Sequence, residues 1–283
     1  MLAEKYRDIS ELWDSPLDGL IVTGTEPRAK SLKDEPYWYS LSAIVDWARD
    51  HTASTIWSCL AAHAAVLHAD GIERHALKEK QFGVFDCRLA ASHPMTQHFP
   101  EPLWVPHSRY NDLPEDALLS SGYKILTRSA AAGVDAFTKQ DNSFFLYFQG
   151  HPEYDADTLF REYRRDVARF LGRERETYPA LPQNYFDDVA TALAETFAER
   201  ATAARRSGLM QSDIMADFPK KTLETGLRNS WRPAALGVYE KWVEFLSARK
   251  AEQRRTGVAI KPRRLRRTWR DWPLPRPAEG SVR

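Results

Sequence analysis

Cys59 sits where two segments of opposite character meet. Residues 52–58 carry Thr, Ile and Trp, side chains that suit a pleated surface, and read as a short buried strand. From Leu60 to His68 the chain is small and apolar, reads as a helix, and meets a breaker at Gly71. A sharp strand-to-helix turn lifts a side chain above the sheet edge and holds it near the positive end of the new helix. A thiol in that place can ionise and act as a nucleophile. The plainer alternative is a buried cysteine behaving as a small apolar residue. A thiol nucleophile also needs a base and a group that orients the base. His151 and Glu153 stand two apart directly after the apolar run 143–150, so they point the same way if the chain stays extended. Glu153 would then hold the imidazole while the imidazole faces Cys59. Pro152 and Glu153 could equally be punctuation before a helix, and spacing leaves both readings open.

Positioning these groups requires a sheet. Residues 18–24 form an apolar run closed by glycine, the pattern of a buried parallel strand. Residues 37–51 repeat apolar side chains at helical spacing through Trp38, Leu41, Ile44, Val45, Trp47 and Ala48. Strand, helix, strand, helix is the grammar of a parallel α/β sheet with right-handed crossovers. Short strand signals follow at 82–85, 103–105, 123–126 and 133–137, separated by Pro, Asn and Gly. Sites in open α/β sheets lie at the carboxyl ends of strands, where Cys59 and His151 both fall. A short amphipathic helix is expected over 4–14, another helix over 157–170, and a mostly helical region over 186–246.

Composition bounds the class. The 283 residues are 43% apolar and 12% aromatic, enough for a real core, and a net charge of +1 is not that of a polyanion binder. Two cysteines without regular spacing give neither a disulfide framework nor a zinc pattern. No secretory leader is read in residues 1–13, and no apolar run reaches the ~20 residues of a membrane helix. No membrane association is expected, and a cytoplasmic setting is. No glycine-rich phosphate loop is present. Residues 261–270 carry six Lys or Arg, near Trp269 and Trp272. Such a run can attract phosphate, as in an RNA-associated scaffold, but a solvated tail is the preferred reading and no nucleic-acid partner is expected.

An elbow cysteine followed by a strand-end His-Pro-Glu resembles class I glutamine amidotransferases, which use a Cys-His-Glu triad. Further segments narrow the resemblance: residues 18–24 (DGLIVTG), 37–38 (YW), 106–110 (PHSRY), 150–155 (GHPEYD), 162–166 (EYRRD), 184–186 (NYF) and 230–232 (SWR). In this order they closely resemble the homoserine O-succinyltransferase family, homoserine O-acyltransferases of methionine biosynthesis. The likeness covers roughly 15–186 and resumes near 229–246.

The resemblance implies an α/β fold: a three-layer flavodoxin-like, class I glutamine amidotransferase-like sheet flanked by helices, with a helical C-terminal region and a basic tail. Residues 1–248 would form the acyltransferase domain, with a helical insertion at about 188–225, and 249–283 the tail. Only about 17 residues precede the strand at Asp18, so N-terminal strands of the family are expected to be missing. By position, Cys59 would be the nucleophile, His151 the base and Glu153 its orienter. Lys80 and Ser108 would contact substrate, Arg165 would take the homoserine carboxylate and Glu162 lie near its ammonium. Glu162 and Arg165 also share one helix face, which suits a zwitterion, although an ordinary surface ion pair has the same spacing. Leu60 and His63 stand where the family has an aromatic residue and a glutamine, and His63 is expected to be packed rather than catalytic. In the family, glutamate at the fourth position after the Thr-Gly turn goes with acetyl-CoA and glycine with succinyl-CoA. Arg28 is neither, and its charge favours succinyl with acetyl still open. The expected reaction moves an acyl group from acyl-CoA, as co-substrate, to homoserine, with no bound cofactor and no metal. Acyl transfer to serine or another amino alcohol, and an amidotransferase-like hydrolase, are the alternatives. A homodimer is left open.

Overall fold

The computed structural model describes residues 6, 8–13, 17–97, 101–207 and 209–256. Of the helix expected over 4–14, the described residues show one 3-10 turn, Ile9–Leu12. Then β1 (Gly19–Val22), α1 (Trp38–His51), β2 (Ser54–Ser58) and α2 (Leu60–Asp70) follow in the order read from the sequence. Gly71 ends α2 at φ 70°, a left-handed conformation that glycine adopts without a Cβ clash.

The middle of the chain holds β3 (His75–Leu89), β4 (Leu103–Asp112), α3 (Glu115–Ser120), β5 (Lys124–Ile125), β6 (Thr127–Ser129), β7 (Gly133–Val134), β8 (Ala136–Gln140) and β9 (Phe144–Phe148). The signals at 82–85 and 103–105 mark only parts of β3 and β4. The ends of β3 are largely exposed, so they carry no apolar alternation to read. Helices α4 (Thr158–Leu171), α5 (Asp188–Arg206), α6 (Gln211–Ala216), α7 (Lys220–Thr225) and α8 (Arg232–Thr256) complete the described chain.

The main sheet runs β1-β2-β9-β8-β5. β1, β2 and β9 are parallel, whereas β8 and β5 join antiparallel. One face of the sheet carries Trp57, Phe145 and Tyr147 against Val45 and Trp47 of α1 and Ala61 and Val66 of α2. The other carries Ile56, Phe144, Leu146 and Phe148 against Val238 and Trp242 of α8. The indole of Trp242 also donates to Ser54 Oγ at 2.8 Å, pinning α8 to β2. This gives the expected three layers.

A second sheet, β4-β3-β6-β7, was not read from the sequence. Alternation tells which residues are buried, not which strand they pair with. Its inner residues Phe82 and Val84 pack with α4 and α5 in a separate core around Tyr163, Tyr185 and Phe197. Helix α8 continues through Thr256, past the expected tail boundary at 249. Residues 257–283, with the basic run and Trp269 and Trp272, lie outside the described residues. No helix among the described residues is long and apolar enough to cross a membrane.

Candidate active site

Parallel pairing sets Ser58 of β2 beside Phe148 of β9, so the carboxyl ends of the two central strands are neighbours. The Cys59 N–H donates to Phe148 O at 2.8 Å as the chain leaves β2. Cys59 itself has φ 50° and ψ −118°, a conformation that costs an L residue on the order of 1–3 kcal/mol. The strand before it and the helix after it hold that strain, and the elbow is formed. The chain approaches this turn closely at Gly24. A Cβ there would lie 2.7 Å from Leu60 Cβ and 2.8 Å from Leu60 N. Loop 24–26 therefore crosses the first turn of α2, whose leading N–H groups have no carbonyl within the helix.

His151 follows β9, fixed by its N–H to Pro106 O at 2.7 Å. Its Nδ1 lies 2.9 Å from Glu153 Oε1, and its ring lines one cavity with Cys59. Ser58 Oγ meets the two Glu153 oxygens at 2.8 and 2.9 Å, so the residue before the nucleophile holds the orienting carboxylate. Burial opposes a charged imidazole here, yet Cys59 and Glu153 together outweigh it and push the His151 pKa up to about 10. Tyr154 covers the ring in a stack.

Cys59 and His151 open into a cavity of about 810 Å³, also lined by Arg28, Lys80, Ser108, Glu162 and Arg165. Glu153 stands behind His151. Seven of the eight site residues named from the sequence thus line one cavity. Helix α4 buries Leu159, Phe160, Tyr163 and Val167 and presents Glu162 and Arg165 to the cavity. Ser108 Oγ donates to Glu162 Oε2, and Tyr154 donates its hydroxyl to Oε1 at 2.6 Å. Lys80 Nζ lies 3.6 Å from Glu162 and 3.4 Å from Asp166.

Asp166 was missed. It is buried and gathers Arg165 at 2.9 Å, Arg169 at 3.7 Å and Arg175 at 3.6 Å as well as Lys80. Glu26 adds a second anion, 3.0 Å from Arg169 and 3.7 Å from Arg165. An acidic residue on the apolar side of an amphipathic helix was the available signal, since such a group is buried only with partners.

The profile of the homoserine O-succinyltransferase family matches residues 1–253. A homoserine O-succinyltransferase of Methylorubrum extorquens is 47% identical over 246 residues, 87% of this chain and 73% of the relative. The chain belongs to the homoserine O-succinyltransferase family. A member from Bradyrhizobium japonicum is 49% identical over 87% of this chain and 74% of its own length. The chain thus spans about three quarters of these relatives. The family match runs through the helical segment 188–225. Among solved structures, a glutamine amidotransferase from Methylobacillus flagellatus aligns over 81% of this chain and 76% of its own at 18% identity, with a TM-score of 0.49.

Within this member of the homoserine O-succinyltransferase family, His63 is buried, with Nε2 2.8 Å from Gln149 Oε1. Burial foremost, and then Arg109, lower its pKa to about 3, so it is a neutral, packed histidine. Cys87 is fully buried, and burial pushes its thiol pKa up. Cys87, His107 and Asp135 approach within 4.8 Å of one another. Arg109 donates to His107 Nδ1 at 3.2 Å, which leaves Nε2 as the N–H that faces Asp135 at 3.4 Å. In that tautomer the ring's one lone pair, on Nδ1, already accepts from Arg109.

Proposed function

We propose that this chain transfers the succinyl group of succinyl-CoA to the hydroxyl of homoserine, with Cys59 carrying the acyl group between the two. The observation that carries the reading is the strained Cys59 elbow and a Glu153-held His151 in one cavity with Glu162 and Arg165. Cys59 Sγ attacks the thioester carbonyl, and the proton on His151 passes to the departing CoA sulfur. The Leu60 N–H and the backbone of loop 24–26 stabilise the oxyanion. The homoserine hydroxyl then attacks the Cys59 thioester while His151 takes its proton, and the sulfur leaves as the thiolate. Glu162 receives the ammonium and Arg165 the carboxylate, with Lys80 and Ser108 contacting substrate beside them.

Arg28 is exposed on the cavity wall, its backbone N–H bound to Glu35 Oε1 at 2.5 Å. It serves as a steering cation for a carboxylate-bearing acyl group. The cytoplasm, as read from the sequence, is the proposed setting. Protein given succinyl-CoA and homoserine should release CoA and form O-succinylhomoserine, and Cys59→Ser should abolish both. CoA release without the homoserine ester, or ammonia from glutamine, would put a hydrolase in its place.

A further inference from the structure

Most cations lining the cavity already have an anion. Lys80, Arg165, Arg169 and Arg175 converge on Asp166, and Arg109 is held by Asp112 at 3.1 Å. Arg74, in the loop between α2 and β3, does not. It lines the cavity with Cys59, is partly buried, and makes no ion pair with a carboxylate among the described residues. The two carboxylates nearest in charge, Glu35 and Glu73, act on it without forming an ion pair and are engaged elsewhere. Glu35 accepts the backbone N–H groups of Arg28 and Ala29 at 2.5 and 2.7 Å, and Glu73 pairs with Lys33 at 3.7 Å. Tyr37, raised to about 12 by burial and then by Glu35, stays a neutral phenol. Burial lowers the Arg74 pKa, as befits a guanidinium held partly out of water.

A partly desolvated guanidinium without a counterion is costly unless a ligand brings the anion. We propose that Arg74 receives the distal carboxylate of the succinyl group while the thioester carbonyl sits at Cys59. This rests on acyl transfer through Cys59. The carboxylate of succinate is the anion the acyl group carries at its far end, and a guanidinium can bind it through two parallel hydrogen bonds. The homoserine carboxylate has Arg165. Exposed Arg28 is screened by solvent, so it gains less from the same contact than Arg74. The CoA phosphates are the competing anions, and they are common to every acyl donor.

The test compares succinyl-CoA with butyryl-CoA, an acyl chain of equal length without the carboxylate, on wild type, Arg74→Met and Arg74→Lys. The readouts are kcat/KM for each donor, single-turnover acylation of Cys59, and a thermal midpoint to confirm folding. Arg74→Met should lower kcat/KM for succinyl-CoA ~10- to 100-fold, with a several-fold smaller loss for butyryl-CoA. Arg74→Lys should recover only part of the succinyl preference. Equal losses with both donors would assign Arg74 to the CoA moiety or to the fold, and an unchanged ratio would place the carboxylate elsewhere; either result overturns the proposal. Wild type acylated by neither donor would instead sink the underlying acyl-transfer reading, and the proposal with it.

Discussion

The Tyr154 ring lies on the His151 imidazole, with centroids 4.0 Å apart and planes inclined by 18°. The hydroxyl of the same tyrosine donates to Glu162 at 2.6 Å. Burial, followed by the charge of Glu162, raises the Tyr154 pKa, so the group is a neutral donor. One side chain therefore ties the proposed base to the carboxylate proposed for the homoserine ammonium. Both steps of the reaction depend on the stack, whereas only the second depends on the hydroxyl.

Tyr154→Phe keeps the ring and removes the hydroxyl. It should raise KM for homoserine roughly 10- to 100-fold, the worth of one hydrogen bond to a charged group, and spare Cys59 acylation. Steady-state kinetics with a single-turnover acylation assay separate the two. A loss confined to acylation would contradict the link through Glu162.

Gly24→Ala places a Cβ 2.8 Å from Leu60 N, where the oxyanion is proposed to bind. Transfer should slow by about 100-fold or more, the usual effect of losing an oxyanion donor. The variant should remain folded by circular dichroism. Full activity would remove loop 24–26 from the oxyanion site.

Cys59 and His151 were legible because apolar runs ended by a helix signal or a glycine mark strand ends, and parallel strands bring such ends together. Ser58 and Asp166 were not, because their partners Glu153 and Lys80 lie far away in sequence and only the fold supplies them. The pairing of β3 with β6 through Arg88 and Leu89 was hidden for the same reason, since these exposed residues carry no burial pattern. Arg74 belongs to no quoted motif, and its interest comes from the counterion it lacks. Glu162 and Arg165 share a helix face as read, and each has its own partners rather than the other.

Arg28→Glu should shift donor preference from succinyl-CoA towards acetyl-CoA. The site is exposed, so the shift should be modest, roughly 2- to 5-fold in the ratio of kcat/KM values. An unaltered ratio would show that Arg28 takes no part in donor choice.

The His151 pKa also makes a statement about stability. In the fold it is raised from 6.5 to about 10, against the effect of burial, by Cys59 and Glu153. The folded chain therefore keeps a proton that the unfolded chain releases first. This stabilisation is full below about pH 6.5 and is lost as the pH rises through about 10. Cys59→Ala should flatten the fall in that window, as followed by urea denaturation. Parallel slopes for wild type and variant would contradict the Cys59–His151 pairing.

The central claim is that Cys59 carries the acyl group. Intact-mass spectrometry after mixing the protein with succinyl-CoA, without homoserine, tests it most directly, with peptide mapping to locate the adduct. One succinyl group should appear on Cys59, disappear when homoserine is added, and be absent from Cys59→Ser. An adduct mapped to Cys87, or homoserine-dependent transfer that survives in Cys59→Ser, would contradict the account.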